Sequence, residues 1–202
     1  MNRAYFSLPT HIDLVSQACD GHFVTSAIAK ISQGNLLQDA NQFTSKLHFD
    51  NCTFAQGSAY YAERWTIIKS AGDSITALLT FGQVLHSVQD FYAHSNWVEL
   101  HVNHSPIPLW DLNEATLPNG IVSGTWSVGF PKKCGNGAPS HEILNKDNPD
   151  TESGSIIVHA GPNAGSSLFQ LAYASALAHS QMEVRRFEEV IHALGLEDGV
   201  LP

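Results

Sequence analysis

The sequence predicts an all-α fold: a helical bundle with a long loop-rich insertion between its last two major helices. Three observations predict it. Apolar residues recur at helical spacing in several stretches, the last an alanine-rich run over about 165–194 with no breaker inside it. Most of the prolines and many of the glycines collect between 102 and 162, where they work against any long regular element. The chain has 202 residues, 43% of them hydrophobic and 14% charged, which suits one buried core and a single domain over 1–202 rather than a disordered chain.

Taken in order, Thr10 is placed to cap a helix over about 11–31, with Ile12, Val15, Ala18, Cys19 and Phe23 at helical spacing. Gly34–Asn35 is expected to break it, and LLQDANQF to form a short second helix. HFDNCTF (48–54) reads as a loop that turns the chain into a helix over about 58–71. The clearest helical pattern covers 73–97, with Asp73 or Ser74 as its cap. Residues 102–162 read as an irregular excursion, a candidate substrate-facing flap, with IVSGTWSVGF and GSIIVH as extended candidates. The final helix stops at Gly195.

Charge and composition narrow the partners. A net charge of −9 argues against a nucleic-acid backbone and repels an anionic membrane surface, although bound cations reverse this locally. No apolar run approaches the ~20 residues of a membrane span. Cys19, Cys52 and Cys134 allow at most one internal disulfide and form no CxxC element, so a thiolate zinc site is not expected. The amino end, MNRAYFSLPTH, lacks the apolar stretch of a signal peptide. The protein is then cytoplasmic, or this is a form whose leader has been removed.

Eleven histidines against ten Lys plus Arg make histidine position the informative feature. In LHSVQDFYAHSNW, His86, Asp90 and His94 stand at i, i+4 and i+8, within about 80° of one another on one helix face. Their rise of ~12 Å is too long for one ion, so the stripe suits a polynuclear site: His86 and Asp90 chelate one ion, Asp90 bridges to a second, and His94 reaches a further one. The last helix repeats the pattern with His179 and Glu183 at i, i+4. Such pairs inside apolar helices are costly to bury without a compensating cation.

THIDLVSQ (10–17) resembles the opening of the bacterial zinc-dependent phospholipase C family. GNLLQDANQ (34–42), HFDN (48–51) and HSVQDFYAHSNWVEL resemble segments of the related HET-C family, in the same order along the chain. The resemblance implies a three-zinc cluster. His11 binds one zinc with Asp90; Asp39, His48 and His86 hold a second, bridged by Asp90; His94, His179 and Glu183 form the third set. Asp39 is also the implied general base. One departure is Met1, which stands where the phospholipases place an amino-terminal Trp whose amine and carbonyl bind zinc. A second is the short step from Asp90 to His94, and the calcium-dependent membrane-docking domain of some relatives is absent.

The expected function is therefore zinc-dependent phosphodiester hydrolysis, of phospholipase C type on a glycerophospholipid. Two or three zinc ions would activate water while Asp39 takes its proton. No GxSxG element offers a serine route. The implied partners are a phospholipid or other phosphodiester, with transient contact at a membrane surface and no nucleic acid favoured; the implied location is secreted or periplasmic. The rival is a HET-C-like membrane-active or self/non-self recognition module with structural zinc only, and a single-strand nuclease is disfavoured by the acidic charge. Presence of every implied ligand and a candidate base favours the enzyme. Trp97, Trp110, Trp126, Phe91, Tyr92 and Tyr173 are candidates for an aromatic substrate wall, with core packing the commoner role. His101, His104, His141 and His159 default to the surface. Asp50 either orients a ligand or caps a turn, and Glu188 and Glu189 read as a solvated face.

Overall fold

The computed structural model describes residues 8–135 and 137–202. Its regular structure is helical: α1 Leu8–Cys19, α2 Thr25–Asp39, α3 Phe54–Lys69, α4 Ser74–His94, α5 Trp97–His101, α6 His141–Leu144 and α7 Leu168–Leu194. The described residues form isolated β-bridges, among them Ser95 with Ser123 and Thr125 with Ser140, and no sheet. IVSGTWSVGF and GSIIVH supply partners in these bridges without pairing into strands. The fold is all-α.

α4 is the axle. Residues 84–95 are buried on every side, as expected for a helix surrounded by others rather than lying on a surface. Asp73 starts it, its Oδ1 accepting from the Thr76 amide at 2.8 Å. α2, α3 and α7 pack around it. One apolar cluster joins Val15, Phe23, Ile31, Trp65, Phe81, Val84, Leu85, Phe187 and Ile191. The other is rich in aromatics, with Phe49, Phe54, Phe91, Tyr92, Trp97 and Trp110. Four of the candidate wall residues, Phe91, Tyr92, Trp97 and Trp110, are therefore core.

Three expected boundaries differ for a physical reason. The first helix does not run from 11 to 31: it ends at Cys19, Gly21 takes a left-handed φ of 74°, and α2 begins at Thr25. Thr10 lies inside α1 and not ahead of its first turn. Conversely, Gly34 does not break a helix but sits within α2. A Cβ on Gly34 would lie 2.0 Å from the Leu79 carbonyl oxygen, and one on Gly82 would lie 2.0 Å from that of Ile31. The two glycines let the backbones of α2 and α4 touch, so close packing outweighs the weak helix propensity of glycine. The 73–97 pattern divides at Ser95, whose extended backbone separates α4 from α5. α7 ends as expected, with Gly195 at φ 66°.

The 102–162 excursion is woven into the core rather than laid over it as a flap. Ile107, Trp110 and Leu112 enter the aromatic cluster. Lys146 is fully buried, its Nζ donating to Ser95 O at 2.8 Å and Glu99 Oε1 at 3.0 Å. Cys52 and Cys134 form a disulfide that ties the 48–54 loop to the insertion, while Cys19 is a buried free thiol. No helix among the described residues is long and apolar enough to cross a membrane.

Candidate metal centre

The stripe on α4 faces α1, the end of α2 and the 45–52 turn, and these elements close around Asp90. His11 Nε2 lies 3.3 Å from Asp90 Oδ1; His48 Nδ1 and His86 Nε2 each lie 2.8 Å from Asp90 Oδ2. His86 Nε2 and His48 Nδ1 are 3.0 Å apart. All four residues are buried.

The opposite edge of each ring fixes what the inner edge can do. His11 Nδ1 donates to Gln89 Oε1 at 2.7 Å, and the same oxygen accepts from Asn35 Nδ2 at 3.0 Å. Asn35 Oδ1 is thereby left to accept from His86 Nδ1 at 3.3 Å. His48 Nε2 donates to the Asn41 carbonyl, which can only accept, at 3.2 Å. With the outer nitrogens protonated, the neutral rings present three inner lone pairs to one carboxylate.

The charges follow. Burial opposes ionisation of Asp90, but His86 and His94 and the bonds from His11 and His48 outweigh it and hold the carboxyl well below the usual range. Burial pushes His86 down to about 3, so the ring is neutral at neutral pH, and the Asn35 contact decides which nitrogen keeps its proton. His11 and His48 are raised: burial works against their charge, and Asp90 overcomes it. Asp39, at the end of α2 and within electrostatic reach of Asp90, is raised by burial and then by that negative charge.

A second group lies further along α4. His94 Nδ1 is 3.2 Å and His141 Nε2 is 3.7 Å from Asp50 Oδ1, and the three atoms lie within 4.8 Å of one another. His94 Nε2 faces Asp147 Oδ1 at 3.0 Å. Asp50, His141 and Asp147 carry this group, and the sequence reading did not assign them to it. His141 is 2% exposed, so the surface assignment does not hold. The one usable signal was the HFD triplet, since Asp50 follows His48 closely in a turn.

His179 and Glu183 are placed elsewhere. Tyr92, about 200° around α4 from Asp90, meets His179 Nδ1 at 2.9 Å on the far side of the helix. Glu183 accepts from Tyr61 Oη at 2.8 Å and Trp65 Nε1 at 3.0 Å. Among the described residues neither belongs to a candidate metal group. The structure thus brings His11, Asp39, His48, His86, Asp90 and His94 into one region, and leaves His179 and Glu183 in a separate polar network. Met1 lies outside the described residues.

Comparison with known proteins places the sequence differently from the resemblance drawn above. Residues 10–117 match the family described as the VWA7 N-terminal domain. The chain is 38% identical over 97 residues to human von Willebrand factor A domain-containing protein 7, covering 44% of this chain and 11% of that protein. The rat and mouse proteins of the same name are each 37% identical over 97 residues. The chain thus matches only about a tenth of these relatives' length. No solved structure matches. These findings overturn membership of the zinc-dependent phospholipase C superfamily and of its HET-C-like branch: short colinear segments rich in His and Asp resembled both, whereas the family match is continuous over 10–117.

Proposed function

The chain belongs to the VWA7 N-terminal domain family, and from that premise we propose that it is a zinc-dependent phosphodiester hydrolase domain centred on Asp90. The matched segment contains all four residues of the Asp90 cluster. One observation carries the reading. His86 Nε2, the acceptor nitrogen when Nδ1 donates to Asn35 Oδ1, lies 2.8 Å from a carboxylate oxygen in a buried interior. Two acceptors at that distance repel unless a cation lies between them, and one proton on His48 Nδ1 serves only one of them.

His11, His86 and Asp90 would hold the ion with His48 beside them, and a set of imidazoles with one carboxylate suits zinc. Zinc bound there supplies Lewis acidity toward a phosphoester oxygen and brings the ionisation of water near neutral pH. The chain's own residues supply the remaining functions. Gln89 and Asn35 hold His11 and His86 in the ligating tautomer. Asp39, 8% exposed and with a raised carboxyl, is the group to take a proton from attacking water. The net charge of −9 favours a phosphodiester other than nucleic acid. The Cys52–Cys134 disulfide supports an oxidising compartment outside the cytoplasm.

Burial favours a second reading, in which zinc only braces the bundle: His86 is 0% and Asp90 1% exposed. The two separate on one preparation. Protein purified without chelator or His tag is analysed for zinc, then assayed on bis(p-nitrophenyl) phosphate and a panel of phosphodiesters. Zinc with turnover that disappears in His86→Ala supports the hydrolase. Zinc without turnover supports the structural role, and no zinc after supplementation sinks both.

A further inference from the structure

Asp50, His94 and His141 do not belong to the cluster used above, and their geometry makes a distinct demand. Asp50 Oδ1, His94 Nδ1 and His141 Nε2 converge within 4.8 Å, on residues 3%, 4% and 2% exposed. Among the described residues none of these three atoms has a partner in hydrogen-bond geometry, and their contacts at 3.2 and 3.7 Å are with one another. Three strong polar atoms aimed at one buried point and left unmatched are costly in an interior, unless something at that point accepts electron pairs from all of them.

The surrounding groups fix each donor in place. His94 Nε2 is engaged by Asp147 Oδ1 at 3.0 Å, which leaves Nδ1 facing inward. Asp50 Oδ2 accepts from Trp126 Nε1 at 2.7 Å, which leaves Oδ1 facing inward. The Trp126 ring stacks on the His141 ring at 4.0 Å between centroids and 25° between planes. Gly124 lets the His141 backbone approach, since a Cβ there would lie 2.6 Å from His141 Cα. A carboxylate engaging the outer nitrogen of a histidine, with the inner nitrogen and a second carboxylate left open, is the arrangement that orients imidazole toward a metal.

We propose that Asp50, His94 and His141 form a second divalent-metal site of the zinc type, separate from the Asp90 cluster, that ties the insertion to α4. Its ligands come from three segments: the 50–52 turn, the end of α4 and the start of α6. Phe49 and Asn51, on either side of Asp50, take left-handed backbone with φ of 55° and 54°. That conformation is unfavourable for residues with side chains and turns the Asp50 carboxylate inward. Three protein ligands leave a fourth tetrahedral position for a small ligand. His141 lies beyond the 10–117 family match, so this site joins the matched segment to the rest of the chain.

The test is zinc stoichiometry of the full chain, stripped with chelator and titrated back with zinc alone. His141→Ala and Asp50→Asn are each expected to bind one ion fewer than the parent protein, while His86→Ala loses an ion from the Asp90 cluster and keeps this one. A positive signature comes from His141→Cys loaded with cobalt. A thiolate–cobalt charge-transfer band, absent from the parent protein, requires residue 141 to touch the ion even where His141→Ala folds poorly. Parent stoichiometry in both His141→Ala and Asp50→Asn, or no such band in cobalt-loaded His141→Cys, overturns the proposal. Parent stoichiometry in His86→Ala alone, with one ion lost in His141→Ala and Asp50→Asn, would count against the Asp90 hydrolase reading and leave this site standing.

Discussion

The indole Nε1 of Trp126 donates a 2.7 Å hydrogen bond to Asp50 Oδ2, and the same ring lies flat on His141. One side chain therefore holds two of the three proposed ligands of the second site. Trp126→Phe keeps much of the stack and removes the bond. The expected result is zinc affinity at that site weakened by about tenfold or more, read by competitive titration with a chromophoric chelator. Unchanged affinity would show that Asp50 is held without the indole.

Glu183 has the appearance of a ligand in sequence and the environment of a structural acceptor in three dimensions. Glu183→Gln presents an amide NH₂ to Tyr61 or Trp65, both of which donate to it. Stability is expected to fall by about 1–3 kcal/mol in urea unfolding, with zinc per chain unchanged in elemental analysis. Zinc loss without destabilisation would return Glu183 to the metal set.

Asp39 is assigned the proton-accepting role, so Asp39→Asn should lower phosphodiester turnover by about 100-fold or more while zinc content stays at the parent level. Equal turnover in the two proteins, measured at matched zinc occupancy, removes Asp39 from that role.

The contact between α2 and α4 depends on two glycines. Gly82→Ala forces a methyl against the Ile31 carbonyl, where the unrelaxed distance is 2.0 Å. The expected cost is about 2–3 kcal/mol, seen as a lower unfolding midpoint, because backbone cannot move aside as a flexible side chain can. Asn35, next to Gly34, belongs to the tautomer-setting chain, so zinc affinity should fall with it.

Acidity should act oppositely on the metal-free and zinc-loaded protein. Burial opposes charge on His94, yet Asp90, Asp50 and Asp147 raise it well above its ordinary value, and His11 and His48 are raised by Asp90 against the same opposition. A raised histidine contributes stability that is fully present below the unfolded value of about 6.5 and is lost as pH rises through the folded value. With chelator, Tm is therefore expected to fall as pH rises above about 6.5. Zinc requires these rings neutral, so the Tm gained on adding zinc should grow over the same interval. Scanning calorimetry with and without chelator checks both slopes; parallel slopes would count against the raised histidines as ligands.

Local periodicity carried the parts of the protein that local periodicity governs. The spacing of His86, Asp90 and His94 put three polar groups on one face of a helix before any contact was known, and Gly195 ended α7 where the pattern stopped. His11, Asp39 and His48 entered through a resemblance to a family to which the chain does not belong, and it is the tertiary structure that draws His11 and His48 onto Asp90 and sets Asp39 within reach. Only the fold could separate His179 and Glu183 from that set, because Tyr92 places them on the other side of α4. It alone could supply His141, at the start of the single-turn α6, and Asp147 in the loop after it, where no sustained period links a residue to its neighbours. The choice of Cys52 with Cys134, and the placing of Gly34 within a helix instead of at its end, are likewise decisions of packing between segments distant in sequence. A helix face is set by neighbours four residues away, whereas a buried polar site is set by whichever segments the core brings together.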